Sequence, residues 1–249
     1  MSGVQQVLLC LSPGPSVGSV DFDGTNDYAT RGAGLTGAAD SKTGIFSAWI
    51  RIDSDTPAMF IFGSVNFRFQ VSYDDATDKF EVYGITAAAA TALELRTAST
   101  YTSGATWRHL LVAWDVATAA LHLYMNDVSD LDGGSTSSNL TIDYTETDWA
   151  VGAETTGSSK FNGCLAELYF APGQYLDLSV EANRRKFINF DGKPAHLGST
   201  GATPTGVQPL VYLHIDPAET PANFAANHGS GGNFTVTGTL TAGSTSPSD

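Results

Sequence analysis

The chain has 249 residues, enough for one large domain with a substantial core or for two small ones. Its formal net charge is −14, with only 12 Lys and Arg, so the basic footprint that neutralises phosphates is missing and nucleic acid is excluded as an expected ligand. Charged residues make up 15% of the chain, below the roughly 25% of an average soluble protein. A surface so poor in charge suits either a protein covered by copies of itself and by partners, or a plain β-protein with Thr/Ser-rich strands.

Residues 1–16 read as an N-terminal arm. Its apolar run Val7 to Leu11 is separated from the first strand of the domain by Ser12-Pro13-Gly14-Pro15-Ser16. Both a contact element for a neighbouring subunit and an edge strand of the same domain fit that pattern. The run is too short for a signal peptide and lacks a positive n-region, and no stretch approaches membrane-spanning length. A protein made in a cytoplasm, without a membrane partner, is expected. Cys10 and Cys164 read as buried free thiols, not as a disulfide framework.

Val20 to Thr30 holds two short strands around Asp23-Gly24 turn chemistry. The spacing Asp21-x-Asp23-Gly24-x-x-Asp27 hints at a calcium loop but lacks the length and the closing Glu of an EF-hand. Gly44 to Asp53 is a long strand. Asn66 to Tyr73 alternates, which places Phe67, Phe69, Val71 and Tyr73 on the inner face, with Lys79 to Ile85 returning after a turn at 74–78. Leu93 to Arg96 is a further strand. Trp107 to Val128 is the clearest hairpin: two apolar runs flank the small-residue break Val116 to Ala120, and Asn126-Asp127 closes the unit in a tight turn. Leu140 to Tyr144, Trp149 to Gly152 and Phe161 to Phe170 are the next expected strands.

One helix is expected, with Ser179 as its N-cap, Glu181 in the first turn and Arg184-Arg185-Lys186 toward the end, where they suit the helix dipole and a solvated face. Residues 191–209 read as a linker. Leu210 to Leu213 and Phe234 to Leu240 are late strands, and 241–249 is a frayed polar tail. Evenly spaced strands and polar turns indicate an all-β fold, a two-sheet antiparallel jelly-roll sandwich over residues 17–240, completed by strands within 210–240.

Several phrases resemble the concanavalin A-like lectin/glucanase superfamily, and in particular its laminin-G-like jelly rolls: VDFDGTNDY at 20–28, FSAWIRID at 46–53, the Trp107–Val128 hairpin, and Trp149 to Tyr169 with Val151-Gly152-Ala153, Phe161-Asn162-Gly163 and Ala166-Glu167-Leu168. The resemblance spans about residues 17–190. It implies a sandwich fold and, for lectin members, sugar binding through loops, often with calcium. In the usual order a strand and a Gly-rich stretch precede the Phe-Asp-Gly phrase. Here Leu210 to Gly243 resembles that leader moved to the end, which implies a circular permutation with 210–240 beside Val20–Phe22 and 191–209 bridging the gap. Leu176 to Leu213 is also similar to jelly-roll proteins among the structural genes of tailed bacteriophages.

Catalytic signatures are broken. The glucanase branch needs a second Glu where Val151 follows Glu146-Thr147-Asp148, and an Asp-box needs Asp where Thr102 stands. His109, His122, His196, His214 and His228 form no close metal-ligand pair, and no nucleophile elbow or phosphate loop is present. His109 and His122 read as satisfied sheet histidines, with a place across the hairpin from each other as the other reading. No catalytic or cofactor residue is assigned, and no metal ligand; calcium is the one cofactor the resemblance leaves open. Candidate binding loops are Asp53-Ser54-Asp55, Asp74 to Asp78 and Ser129 to Asn139. Trp49, Trp107, Trp114 and Trp149 are expected in strands, as core or interface. The expectation is a non-enzymatic structural protein of a tailed-phage virion, in capsid decoration or tail, with copies of itself and other virion proteins as partners. The alternative is a carbohydrate-binding module that attaches to cell-surface glycans.

Overall fold

The computed structural model describes residues 16–54 and 59–249. The apolar arm, Cys10 and Asp55 of the first candidate loop lie outside the described residues. Alternating side chains dictate two antiparallel sheets of eight strands packed face to face, the arrangement that buries one face of each.

The first sheet runs β10 (Val128–Ser129), β9 (Ala120–Met125), β8 (Arg108–Asp115), β3 (Thr43–Ile52), β13 (Asn162–Pro172), β1 (Val20–Asp23) and β16 (Thr241–Ala242), with β14 (Val211–Leu213) also on β13. The second runs β11 (Thr136–Ser137), β7 (Thr91–Arg96), β6 (Lys79–Ile85), β5 (Phe69–Asp74), β4 (Met59–Ser64), β12 (Trp149–Val151), β2 (Tyr28–Thr30) and β15 (Thr235–Thr237). Between them lies an aromatic core. Phe170 sits 4.7 Å from Phe69 and 5.1 Å from Phe62, centroid to centroid, and Trp114 and Trp149 stack on those two rings in turn. The hairpin turn at Asn126-Asp127 takes the left-handed conformation at both residues, as a two-residue loop requires.

The end of the chain supplies strands to its beginning. β14 pairs with β13 at Leu168–Phe170, and β1 pairs with the same edge of β13 at Asn162–Leu165. The Gly18 amide donates to the Ile215 carbonyl at 2.7 Å where the two meet, so β14 and β1 run end to end. β15 pairs with β2 through Thr235↔Thr30, and β16 with β1 through Val20↔Ala242. The expectation that 210–240 lies beside Val20–Phe22 is corrected twice: Leu210–Leu213 lies in line with β1, and the late strand beside Val20 is β16, outside 210–240, while β15 pairs with β2.

Other expectations are corrected. The tail 241–249 is not frayed. It holds β16, Ser244 and Thr245 accept from Arg51, and Ser248 Oγ accepts the Val17 amide. Leu140–Tyr144 is no strand, only a bridge Ser41↔Ile142, because Asp40 takes the Tyr144 amide that a neighbouring strand would need. The helix α1 spans only Glu181–Arg184 and starts from Val180, since Asp177 engages both the amide and the hydroxyl of Ser179. Arg184 and Arg185 do not form a solvated face: both pair with Asp127, and Arg184 lies over Tyr124. Residues 191–209 hold no strand, yet Leu197 joins Leu178 and Phe187 in covering the outer face of the first sheet. His122 faces Ala113 across the hairpin, not His109, which is buried against Ser47 Oγ and Trp49.

Candidate functional site

The alternation that reads Phe67 as a core residue fails at one place. β5 begins only at Phe69, because Asn66 (φ 59°) and Phe67 (φ 54°) both adopt the left-handed conformation in a tight 3-10 turn after β4. Asn tolerates that region, and a bulky aromatic rarely does. The consequence is that Phe67 turns outward and is 47% exposed. The buried ring of Phe60 meets it edge to face at 6.1 Å and holds it there. Strained backbone clusters at binding sites, which makes Phe67 a candidate functional position.

Two clefts, of about 220 Å³ and about 230 Å³, meet at Phe67 and Glu154. Gln70, Ser72, Asp74, Glu81 and Ser159 line the first. Asn66, Thr155 and Thr156 line the second. Glu154 accepts a hydrogen bond of 2.5 Å from Ser159 Oγ, which fixes its carboxylate against the rim. Burial raises the Glu81 carboxyl above its ordinary value, against the pull of Arg96. An exposed ring flanked on both sides by hydroxyls, amides and carboxylates can stack on one apolar face of a ligand and hydrogen-bond its edges.

The three candidate loops contribute less. Only 74–78 reaches the clefts, through Asp74, whose carboxylate already accepts from Ala76 and Thr77. Asp53 is held by Arg51, Asp130 by Ser99 and Tyr101, and Asp132 by Gly134 and Lys79. Asp23 accepts the amides of Thr25 and Asn26, which makes 21–27 a structural turn. Trp49, Trp114 and Trp149 are buried; Trp107 precedes β8, and its indole donates to Thr245.

Calcium asks for roughly six to eight oxygen ligands. Among the described residues, one group of three ligating side chains lies within 4.8 Å, namely Asp21, Asp53 and Cys164, and it is not in the clefts. That group does not fit a metal either. Arg51 occupies both Asp53 oxygens at 2.7 Å, and burial pushes the Cys164 thiol well above its ordinary value, which keeps it protonated.

Among curated proteins no sequence matches this chain. Among solved structures, a Bacteroides ovatus protein to which carbohydrate binding is ascribed superposes with a TM-score of 0.64 at 15% identity, over 92% of this chain. This chain spans 60% of that protein's length. A native heptameric SAP-like pentraxin of Limulus polyphemus superposes with a TM-score of 0.54 at 11% identity, over 91% of this chain and 94% of its own. At these identities the likeness establishes the sandwich fold. The family model matches residues 23–173, stopping at the end of β13 and leaving β14, β15 and β16 outside. With that match over more than half of its length, the chain belongs to the concanavalin A-like lectin/glucanases superfamily.

Proposed function

We propose that this is a non-catalytic carbohydrate-binding module whose ligand stacks on Phe67. The observation that carries the reading is the outward, strained Phe67 between two polar clefts. A sugar presents just such a surface: a C–H face for an aromatic ring and hydroxyls for Gln70, Ser72, Glu154 and the threonines. The family and the carbohydrate binding ascribed to the Bacteroides ovatus protein support it. A glycan array run with and without calcium tests it, with Phe67→Ala as the comparison. Specific glycans should be retained by the parent and weakened about tenfold by the variant, the factor that ~1.4 kcal/mol of lost contact corresponds to. Because Phe67 is half exposed, its truncation should leave the fold intact, so equal binding by parent and variant refutes the site.

A second reading places the module in a tailed-phage virion, on capsid or tail, as one of many copies; glycan binding would there serve attachment. Its support is the 15% charge content and the similarity of 176–213 to phage-encoded jelly rolls. Against it, 176–197 covers the first sheet's own outer face, and the second sheet's outer face carries Arg96 paired with Glu81 and Glu94. Detection of the protein, with copy number, in purified particles decides this reading.

A further inference from the structure

A cavity of about 460 Å³ lies apart from the Phe67 clefts, on the outer face of the first sheet, where the 195–199 loop closes over β13 and β14. Three of the five histidines, His196, His214 and His228, face it, together with Glu167, Asp216 and Glu219. Among the described residues, no Lys or Arg lines it.

Its organising residue is Glu167, a carboxylate in the middle of an otherwise apolar strand. Glu167 sits at a β-bulge, where the β13–β3 register slips between Ala166 and Tyr169, with φ 52° and 3% exposure. Its carboxylate accepts from Tyr212 Oη at 2.8 Å and from His214 Nδ1. Because a carboxylate accepts, Nδ1 carries the hydrogen, and the lone pair is left on His214 Nε2. Tyr212 stacks on the imidazole at 5.6 Å and 18°, which fixes its plane. Nε2 lies 3.5 Å from Asp216 Oδ1. Two donors each about 2.1 Å from a tetrahedral ion are separated by about 3.4 Å, so these two atoms already stand at ligand spacing. Glu219 accepts the Asp216 amide at 2.8 Å and holds that loop. The half-buried His228 ring is 5.8 Å from that of His214; the ligating atoms of His214, Asp216 and His228 do not all lie within 4.8 Å of one another, so completing the site requires a rotation of the His228 side chain.

We propose that this cavity binds a divalent transition metal of the zinc class through His214 Nε2, the Asp216 carboxylate and His228, with Glu167 as the positioning residue. Imidazole ligands select zinc, nickel or copper over calcium, and a carboxylate on the far ring nitrogen is the arrangement that orients a ligating histidine. The site is independent of the glycan reading and stands or falls separately from it.

The test is titration of the tag-free full chain with Co²⁺, followed by visible absorption, and with Zn²⁺ by competition. One equivalent should bind saturably. His214→Ala should abolish binding, and Glu167→Gln should weaken it roughly 10–100-fold while leaving stoichiometry at one. His228→Gln, a half-buried position where folding is checked by circular dichroism, should also lose the site, and His122→Ala should not. Absence of saturable binding, or binding unchanged in both His214→Ala and His228→Gln, overturns the proposal.

Discussion

Gly44→Ala probes the packing that ties the central hairpin to the core. Gly44 faces Trp114 across the β3–β8 ladder, and a Cβ there would lie 2.2 Å from Cζ2 of the indole. Ordinary contact begins at 3.4 Å, so the ring would have to retreat by about 1.2 Å (3.4 − 2.2). It has nowhere to go. Trp114 is fully buried, stacks on Phe69 at 5.4 Å and donates from Nε1 to Tyr144 Oη at 3.1 Å. Overpacking of this kind costs about 1–3 kcal/mol, and loss of the indole hydrogen bond adds about 1 kcal/mol. Reduced freedom of the unfolded chain offsets about 0.4–1 kcal/mol. The net is a destabilisation of about 1–3.6 kcal/mol, which for a domain of this size lowers Tm by roughly 2–14 °C. Urea and thermal unfolding followed by tryptophan fluorescence measure it. Gly133→Ala is the control, since nothing lies within 4 Å of a Cβ there and its φ is not left-handed; its effect should stay within about 0.5 kcal/mol. A Gly44→Ala protein as stable as its parent would refute the reasoning.

Deleting residues 241–249 removes β16, two hydrogen bonds from Arg51 and the acceptor of the Val17 amide. At about 1 kcal/mol per bond, stability should drop by roughly 2–4 kcal/mol; an unchanged urea midpoint would restore the view of a frayed tail. Burial pushes the His109 pKa down to about 3. Below about pH 6.5 the unfolded chain takes up a proton that the native state refuses, so stability should decline from pH 6.5 toward 4 by up to ~1.4 kcal/mol per unit. His109→Gln should show a flatter profile over that window, and identical profiles would count against a neutral buried imidazole. In a Cys10→Ser background, the raised pKa and burial of Cys164 should keep it unreactive toward a thiol reagent until denaturant is added; rapid native labelling would contradict this.

Much of the sandwich is legible in residue order because a strand has a period of two and a buried face must be apolar. Gly44–Asp53, Lys79–Ile85 and the Trp107–Val128 hairpin carry that pattern, and Asn126-Asp127 marks the tight turn that closes the hairpin unit. The same rule misplaces Phe67. F-x-F-x-V-x-Y reads as one continuous inner face, and only the left-handed turn at Asn66-Phe67 starts the strand two residues later and turns the ring outward. Asn66 was the one local signal, as a residue that tolerates that conformation. Glu167 left a trace as well, a lone charge within an apolar strand. Its partners Tyr212 and His214 lie 45 and 47 positions away, so no spacing rule links them.

By itself the sequence determined the all-β class, the central hairpin and the family, since each depends on local alternation, turn chemistry or short phrases. Tertiary structure decided what the ends of the chain do and which side chains gather around Phe67 and Glu167. Whether 210–249 completes the sandwich or trails from it depends on pairing with β1 and β2 across roughly 200 residues of chain and with β13 across roughly 45. Whether an aromatic is core or exposed depends on the backbone of a single turn. Both are properties of three-dimensional closure, which hydrophobic pattern constrains but does not specify.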